Sequence, residues 1–246
     1  MDRITDKRIF ILVCLNAAIY VLIIILDILK AGNGVTEAQG LFSDLLKYAA
    51  VVSCLIICVF ALSHDRRKVA LVQIVVFCFT LGADFFLLFT NLFSIGVLVF
   101  IGAHVCALYR YKPGWLLQIG ISAAVLFVLI MLFLPKLLPS DIDLTLVIAA
   151  SCAYTLMIVS VTVSTFHSPQ PRQNELFSRI GMLLFIGCDI NVLIFNAMPI
   201  GSGFHTLSIV FMWLFYLPAQ TLLALSTANL PLIRQKRYRK DAANLI

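Results

Sequence analysis

An all-α bundle of about eight transmembrane helices is the fold class this sequence predicts, and three observations predict it. Of its 246 residues, 62% are hydrophobic and only 12% are charged, a composition far from that of soluble domains. Eight apolar stretches, each near the roughly 20 residues that a helix needs to cross hydrocarbon, account for a mean hydropathy of +1.04. The lysines and arginines gather on alternate connections between those stretches.

The first stretch, 9–29, follows Arg3, Lys7 and Arg8 and stops before Gly32-Asn33-Gly34. It is too long for a cleaved signal peptide and lacks a small-residue cleavage site, so it reads as a retained span. The second, 41–62, ends at Ser63-His64-Asp65-Arg66-Arg67-Lys68. The third, 69–89, and the fourth, 92–110, follow, with Lys112-Pro113-Gly114 closing the latter. The fifth, 115–134, stops at Pro135, and the connection runs on to Asp143. The sixth, 143–164, gives way to His167-Ser168-Pro169-Gln170-Pro171-Arg172. The seventh, 177–197, and the eighth, 204–226, complete the set, and a basic tail occupies 227–246. No connection is long enough for a soluble domain, so residues 1–246 read as a single integral membrane domain.

Orientation follows from the positive charges. With the N-terminus inside, the inner segments hold Arg3, Lys7, Arg8, Arg66, Arg67, Lys68, Arg110, Lys112, Arg172, Arg234, Lys236, Arg237, Arg239 and Lys240, fourteen in all. The outer segments hold two, Lys30 and Lys136, so both termini are expected in the cytoplasm. This bias accounts for the net charge of +6, and the partners it implies are anionic membrane lipids, with no nucleic acid among them.

Cys14, Cys54, Cys58, Cys78, Cys106, Cys152 and Cys188 all fall within spans and read as small packing residues. His64, His104, His167 and His205 have no zinc-ligand spacing, so no metal is expected. A Gly-x-Ser-x-Gly elbow and a phosphate-binding glycine loop are both missing, which removes the usual support for serine hydrolase and nucleotide-dependent functions.

Two carboxylates are the sharpest feature. Gly82-Ala83-Asp84 and Gly187-Cys188-Asp189 each lie deep in an apolar stretch, each followed by Leu four residues after the Asp and Asn seven after it. A carboxyl in hydrocarbon is costly and normally faces a bundle interior or a wet cavity. The two segments are 105 residues and four spans apart, and Gly96 matches Gly201 at the same offset. Two parallel four-helix repeats would produce this pattern.

At about 1.5 Å per residue, Asp84 lies roughly 8 Å and Asp189 roughly 12 Å below the outer ends of their spans. Lys47 falls in the same half, with His104, Tyr216 and Gln220 somewhat deeper; Tyr216 and Gln220 share a helix face. The convergence suits a pocket entered from the outer leaflet. Each group has a structural alternative. Lys47 either snorkels outward beside Asp44 or pairs with one of the aspartates, and Asp27 reads as interfacial. His104, Tyr216 and Gln220 serve either the site or interhelical hydrogen bonds, and Asn91 and Asn196 read as helix ends. Asp84 and Asp189 themselves either act chemically or pair with Lys47 or Arg179 to hold the bundle.

The segment Phe79-Thr80-Leu81-Gly82-Ala83-Asp84-Phe85-Phe86-Leu87-Leu88, with Phe93, Gly96, Phe100 and Gly102-Ala103-His104 after it, resembles the first signature of the YhhN-like lysoplasmalogenase family. Gly181-Met182-Leu183-Leu184-Phe185-Ile186-Gly187-Cys188-Asp189 resembles the second, and Tyr216-Leu217-Pro218-Ala219-Gln220 with Ser226 the closing one. Lys47 is similar to the family's span-two lysine. The chain departs from the frequent pattern at Ala83, Cys188, Tyr48 and Ala107, none of which removes an acid or a base.

The resemblance implies hydrolysis of the vinyl ether bond of a lysophospholipid substrate, the lysoplasmalogens, in the bacterial plasma membrane and without a cofactor. Proton transfer to the β-carbon creates an oxocarbenium ion, water adds, and the hemiacetal collapses to an aldehyde. One of Asp84 and Asp189 would be the protonated acid and the other the anion beside the cation. Lys47, His104, Tyr216, Gln220 and Asn191 are the substrate-binding candidates. The alternative is a proton-coupled transporter or ion pathway built on the same paired aspartates. Carriers often break helices at the binding site, and Pro218 is the one proline well inside a span.

Overall fold

The computed structural model describes residues 2–33, 37–63, 67–90, 92–111, 116–137, 144–167, 172–199 and 202–228. The helix end expected at Asn91, the Gly201 half of the repeat match, the loop residues Arg66 and Lys112, and the tail beyond residue 228 lie outside them.

Every predicted stretch is a helix: α1 (Asp2–Asn33), α2 (Glu37–Ala61), α3 (Arg67–Phe89), α4 (Phe93–Tyr111), α5 (Leu116–Leu137), α6 (Leu144–His167), α7 (Arg172–Ala197) and α8 (Gly203–Leu225). The largest departures from the sequence reading are at the starts of α1 and α7, which begin at residues 2 and 172 instead of 9 and 177. Apolarity reports the thickness of hydrocarbon, whereas helical hydrogen bonding continues into a polar flank made of helix-compatible Lys, Arg, Gln and Glu. Among the described residues, six helices are long and apolar enough to cross a membrane.

Seven helices close a ring in the order α1, α2, α3, α4, α6, α7, α8, with α8 returning to both α1 and α2, and α5 packing on α6. The pairs α1–α2, α2–α3, α3–α4 and α2–α8 have counterparts four helices on in α5–α6, α6–α7, α7–α8 and α6–α4. A duplicated unit gives this correspondence. The α1–α8 contact has no counterpart of similar size among the described residues.

Large apolar side chains face outward, Phe10 and Phe133 being more than 60% exposed, as expected where the surrounding solvent is itself apolar. Polar groups turn inward instead. Asn16 of α1 donates to the Ala50 carbonyl at 3.3 Å and accepts from the Ser53 hydroxyl. Arg110 of α4 donates to Gln73 of α3 and, at 2.5 Å, to the Ser226 hydroxyl. Asn174 of α7 donates to the carbonyls of Ser226 and Ala228, both at 2.8 Å, satisfying acceptors that the end of α8 leaves open.

Close approach of α7 to α8 depends on Gly181, where an added Cβ would meet the Ala219 carbonyl and Leu223 at 3.1 Å. Ser202 caps helix α8, accepting from the His205 amide at 3.2 Å, and the helix runs through Pro218 without a break. Proline has no N–H, so the Leu214 carbonyl one turn earlier loses its helical donor. The Tyr20 hydroxyl of α1 donates to that carbonyl at 3.2 Å. In a medium without water, a foreign donor of this kind is what keeps a proline-containing helix satisfied.

Candidate active site

The two Gly-x-Asp segments do the same work in their helices. A Cβ at Gly82 would stand 3.3 Å from Val99 of α4, and one at Gly187 would stand 3.1 Å from the Phe215 ring of α8. Each glycine thus admits the next helix two residues before the carboxyl, and α3–α4 and α7–α8 form tight pairs at that level.

Asp84 and Asp189 border one cavity of about 260 Å³. It sits where the C-terminal halves of α3, α5 and α7 meet the N-terminal halves of α4 and α6, with the middle of α8 as a further wall. Most of the lining is apolar: Leu88 of α3, Phe93 and Val97 of α4, Leu134 of α5, Ala153 of α6 and Val192 of α7 are among it. The polar groups are concentrated on Asp84, Tyr154, Asp189, Asn196 and Tyr216.

The carboxyls differ in their partners. The Tyr216 hydroxyl donates toward both oxygens of Asp84, at 2.9 and 2.8 Å, and Asp84 is only 5% exposed. The Asp189 carboxyl meets no hydrogen-bond donor among the described residues. Its backbone carbonyl accepts from the Tyr154 hydroxyl at 3.2 Å, which fixes α7 against α6 beside the cavity.

Of the residues singled out from the sequence, Asp84, Asp189, Tyr216 and Asn196 meet around this cavity, while Lys47, His104, Gln220 and Asn191 take up places off its lining. Lys47 is buried and pairs with Asp27 at 2.9 Å, with Asp44 further off at 3.8 Å. Arg179 pairs with Glu175 one turn away. Neither cation is therefore the partner of a cavity aspartate. Asp27, read as interfacial, is fully buried because α1 continues past it and Lys47 covers it. His104 is buried with its ring edge-on to Phe100 and Phe185, at 4.9 and 5.8 Å, and its Nε2 has no hydrogen-bond partner among the described residues. Gln220 is buried one turn beyond Tyr216. Asn191 donates to the Gly187 carbonyl of its own helix at 2.7 Å, and Asn196 to that of Val192 at 2.7 Å. Asn196 also reaches the cavity lining.

Trp213 and Tyr154 line the cavity without having been singled out, and Cys188, read as a packing residue, lines it too. Trp213 precedes Tyr216 by three residues and so shares its helix face, a signal present in the sequence. Nothing in the sequence separated it from a lipid-facing aromatic.

The YhhN family model matches residues 42–227. No curated protein and no solved structure matches the chain.

Proposed function

The chain belongs to the YhhN family, and from that premise we propose that it is an intramembrane hydrolase cleaving the vinyl ether bond of lysoplasmalogens. The observation that carries the proposal is that Asp84 and Asp189, on different helices, border one apolar cavity. Vinyl ether cleavage needs a proton donor at the β-carbon and an anion close to the oxocarbenium ion that results. It needs nothing else but water. Two carboxyl groups in unlike surroundings divide those roles.

The hydrogen bonds favour one division. A phenol O–H donated to both oxygens of Asp84 suits a carboxylate, so Asp84 takes the anionic role, stabilising the cation and orienting water. Asp189, without such a donor and bordered by Val192 and Leu193, supplies the proton. Water then adds to the oxocarbenium carbon, giving its proton to Asp84; as the hemiacetal collapses, Asp84 passes that proton to the departing glycerol oxygen and Asp189 takes the proton of the hemiacetal hydroxyl, which releases a fatty aldehyde and a glycerophospho-head-group product and restores both carboxyls. The single hydrocarbon chain lies along the apolar wall, and the head group stays at the rim near Asn196. On the charge bias of the connections this rim belongs to the outer leaflet, both termini being cytoplasmic.

The test is aldehyde release from lysoplasmalogen by the purified protein in detergent, compared with Asp84→Asn and Asp189→Asn. Each folded variant is expected to lose at least about 100-fold in turnover. Turnover surviving either substitution removes the acid and anion roles. Proton or solute flux in vesicles, with no aldehyde formed, would replace hydrolysis by transport. The unbroken course of α8 through Pro218 favours the hydrolase.

A further inference from the structure

An ion pair outside the cavity lining connects to it through a tryptophan. Asp27 of α1 is fully buried, with one carboxyl oxygen 2.9 Å from the Lys47 ammonium of α2. The Ser43 hydroxyl donates to that same oxygen at 3.4 Å, while the second oxygen has no hydrogen-bond partner among the described residues. The Lys47 ammonium also stands 4.8 Å from the centre of the Trp213 ring of α8. Trp213 borders the cavity and meets the Tyr216 ring edge-on, at 5.2 Å and 87°. Tyr216 in turn holds Asp84. Four helices contribute to one unbroken run of contacts.

We propose that the Asp27–Lys47 pair is a positioning element of the active site, holding the Trp213 ring against Tyr216 and through it the hydroxyl on Asp84. A buried ion pair is weak evidence of stabilisation, because desolvating two charges offsets most of their attraction. A desolvated ammonium on an indole face, by contrast, favours one ring orientation over the others. Asp27 fixes where that ammonium sits. Lys47 touches neither substrate nor cavity, and Trp213 stands between them. Asp27 also lies outside the matched family segment.

Where turnover is the readout, the proposal rests on the hydrolase reading; where the ring itself is observed, it does not. The chain has two tryptophans, so Trp115→Phe leaves Trp213 as the sole indole emitter. In that background, Lys47→Arg keeps both the pairing and the cation on the ring, and the emission maximum and quenching by acrylamide are expected to stay those of the parent. Asp27→Asn with Lys47→Met removes both charges of the pair together, so that neither is left buried without the other. That double variant is expected to fold, to show a shifted and more readily quenched Trp213 emission, and to lose about 10-fold in kcat with KM changed by less than about 3-fold. Unchanged emission in the folded double variant overturns the proposal, whatever the reaction is. A changed emission in a protein whose parent releases no aldehyde upholds the positioning and sinks the hydrolase reading alone. Trp213→Phe, which disturbs no charge, is the second handle: a fall of about 5-fold in kcat is expected from a loosened Tyr216, and full activity would refute the role of the ring.

Discussion

The Tyr216 hydroxyl lies 2.9 and 2.8 Å from the two carboxyl oxygens of Asp84, so one phenol on α8 spans the acid of α3. Tyr216→Phe keeps the ring against Trp213 and Phe185 and deletes only this donor. The buried Asp84 is left unmet, which costs about 1–3 kcal/mol of stability. Aldehyde release is expected to fall by at least about 10-fold, because the donor holds the anion where the cation forms. Parent-like turnover in the folded variant would mean that the hydroxyl does not serve Asp84.

Tyr20 and Pro218 are expected to be energetically coupled. Tyr20→Phe leaves the Leu214 carbonyl without a donor and should lower stability in detergent by about 1 kcal/mol. Pro218→Ala restores the helical N–H to that carbonyl, so in its background the same change should cost much less. A double-mutant cycle read by thermal or denaturant unfolding measures the coupling, and strict additivity would dismiss the compensation.

At Gly181 the room for a side chain is missing. Gly181→Leu must push α8 away at Ala219 and Leu223, and a loss of about 1–3 kcal/mol is expected. Gly203→Ala is the control, because nothing stands within 4 Å of the added carbon, and its effect should stay within about 0.5 kcal/mol. Equal unfolding midpoints for the two variants would show that α7 and α8 do not need this approach.

Ala153 of α6 offers the cavity a small wall. Ala153→Phe should shorten the apolar space, lowering kcat/KM for a long-chain substrate about 10-fold relative to a short-chain one. An unchanged ratio between the two chain lengths would put the hydrocarbon chain elsewhere.

The helices were legible because hydrocarbon imposes a length and a composition on whatever crosses it, and their ends were less so because neither constraint acts on a polar flank. The site was legible in part. Asp84 and Asp189 stood out as charges in the wrong solvent, and Tyr216 as a polar group at matching depth. Depth also selected Lys47, His104 and Gln220, yet depth fixes only the height along a helix. Which helices are neighbours decides what a side chain meets, and the closing of the ring by α8 onto α1 and α2 turns Lys47 toward Asp27 and Trp213. Asp27 misled for a related reason: its place near the end of an apolar stretch suggested water, while Lys47 supplies the opposite charge from the next helix.

The family segment begins at residue 42, inside α2, but three groups before that point answer needs after it. Asn16 receives Ser53, Tyr20 completes Leu214, and Asp27 neutralises Lys47. A fragment cut at the family boundary would strand an ammonium and a peptide carbonyl in oil. N-terminal truncations and fusion junctions in this protein therefore have to leave the first helix whole, whatever the homology border suggests.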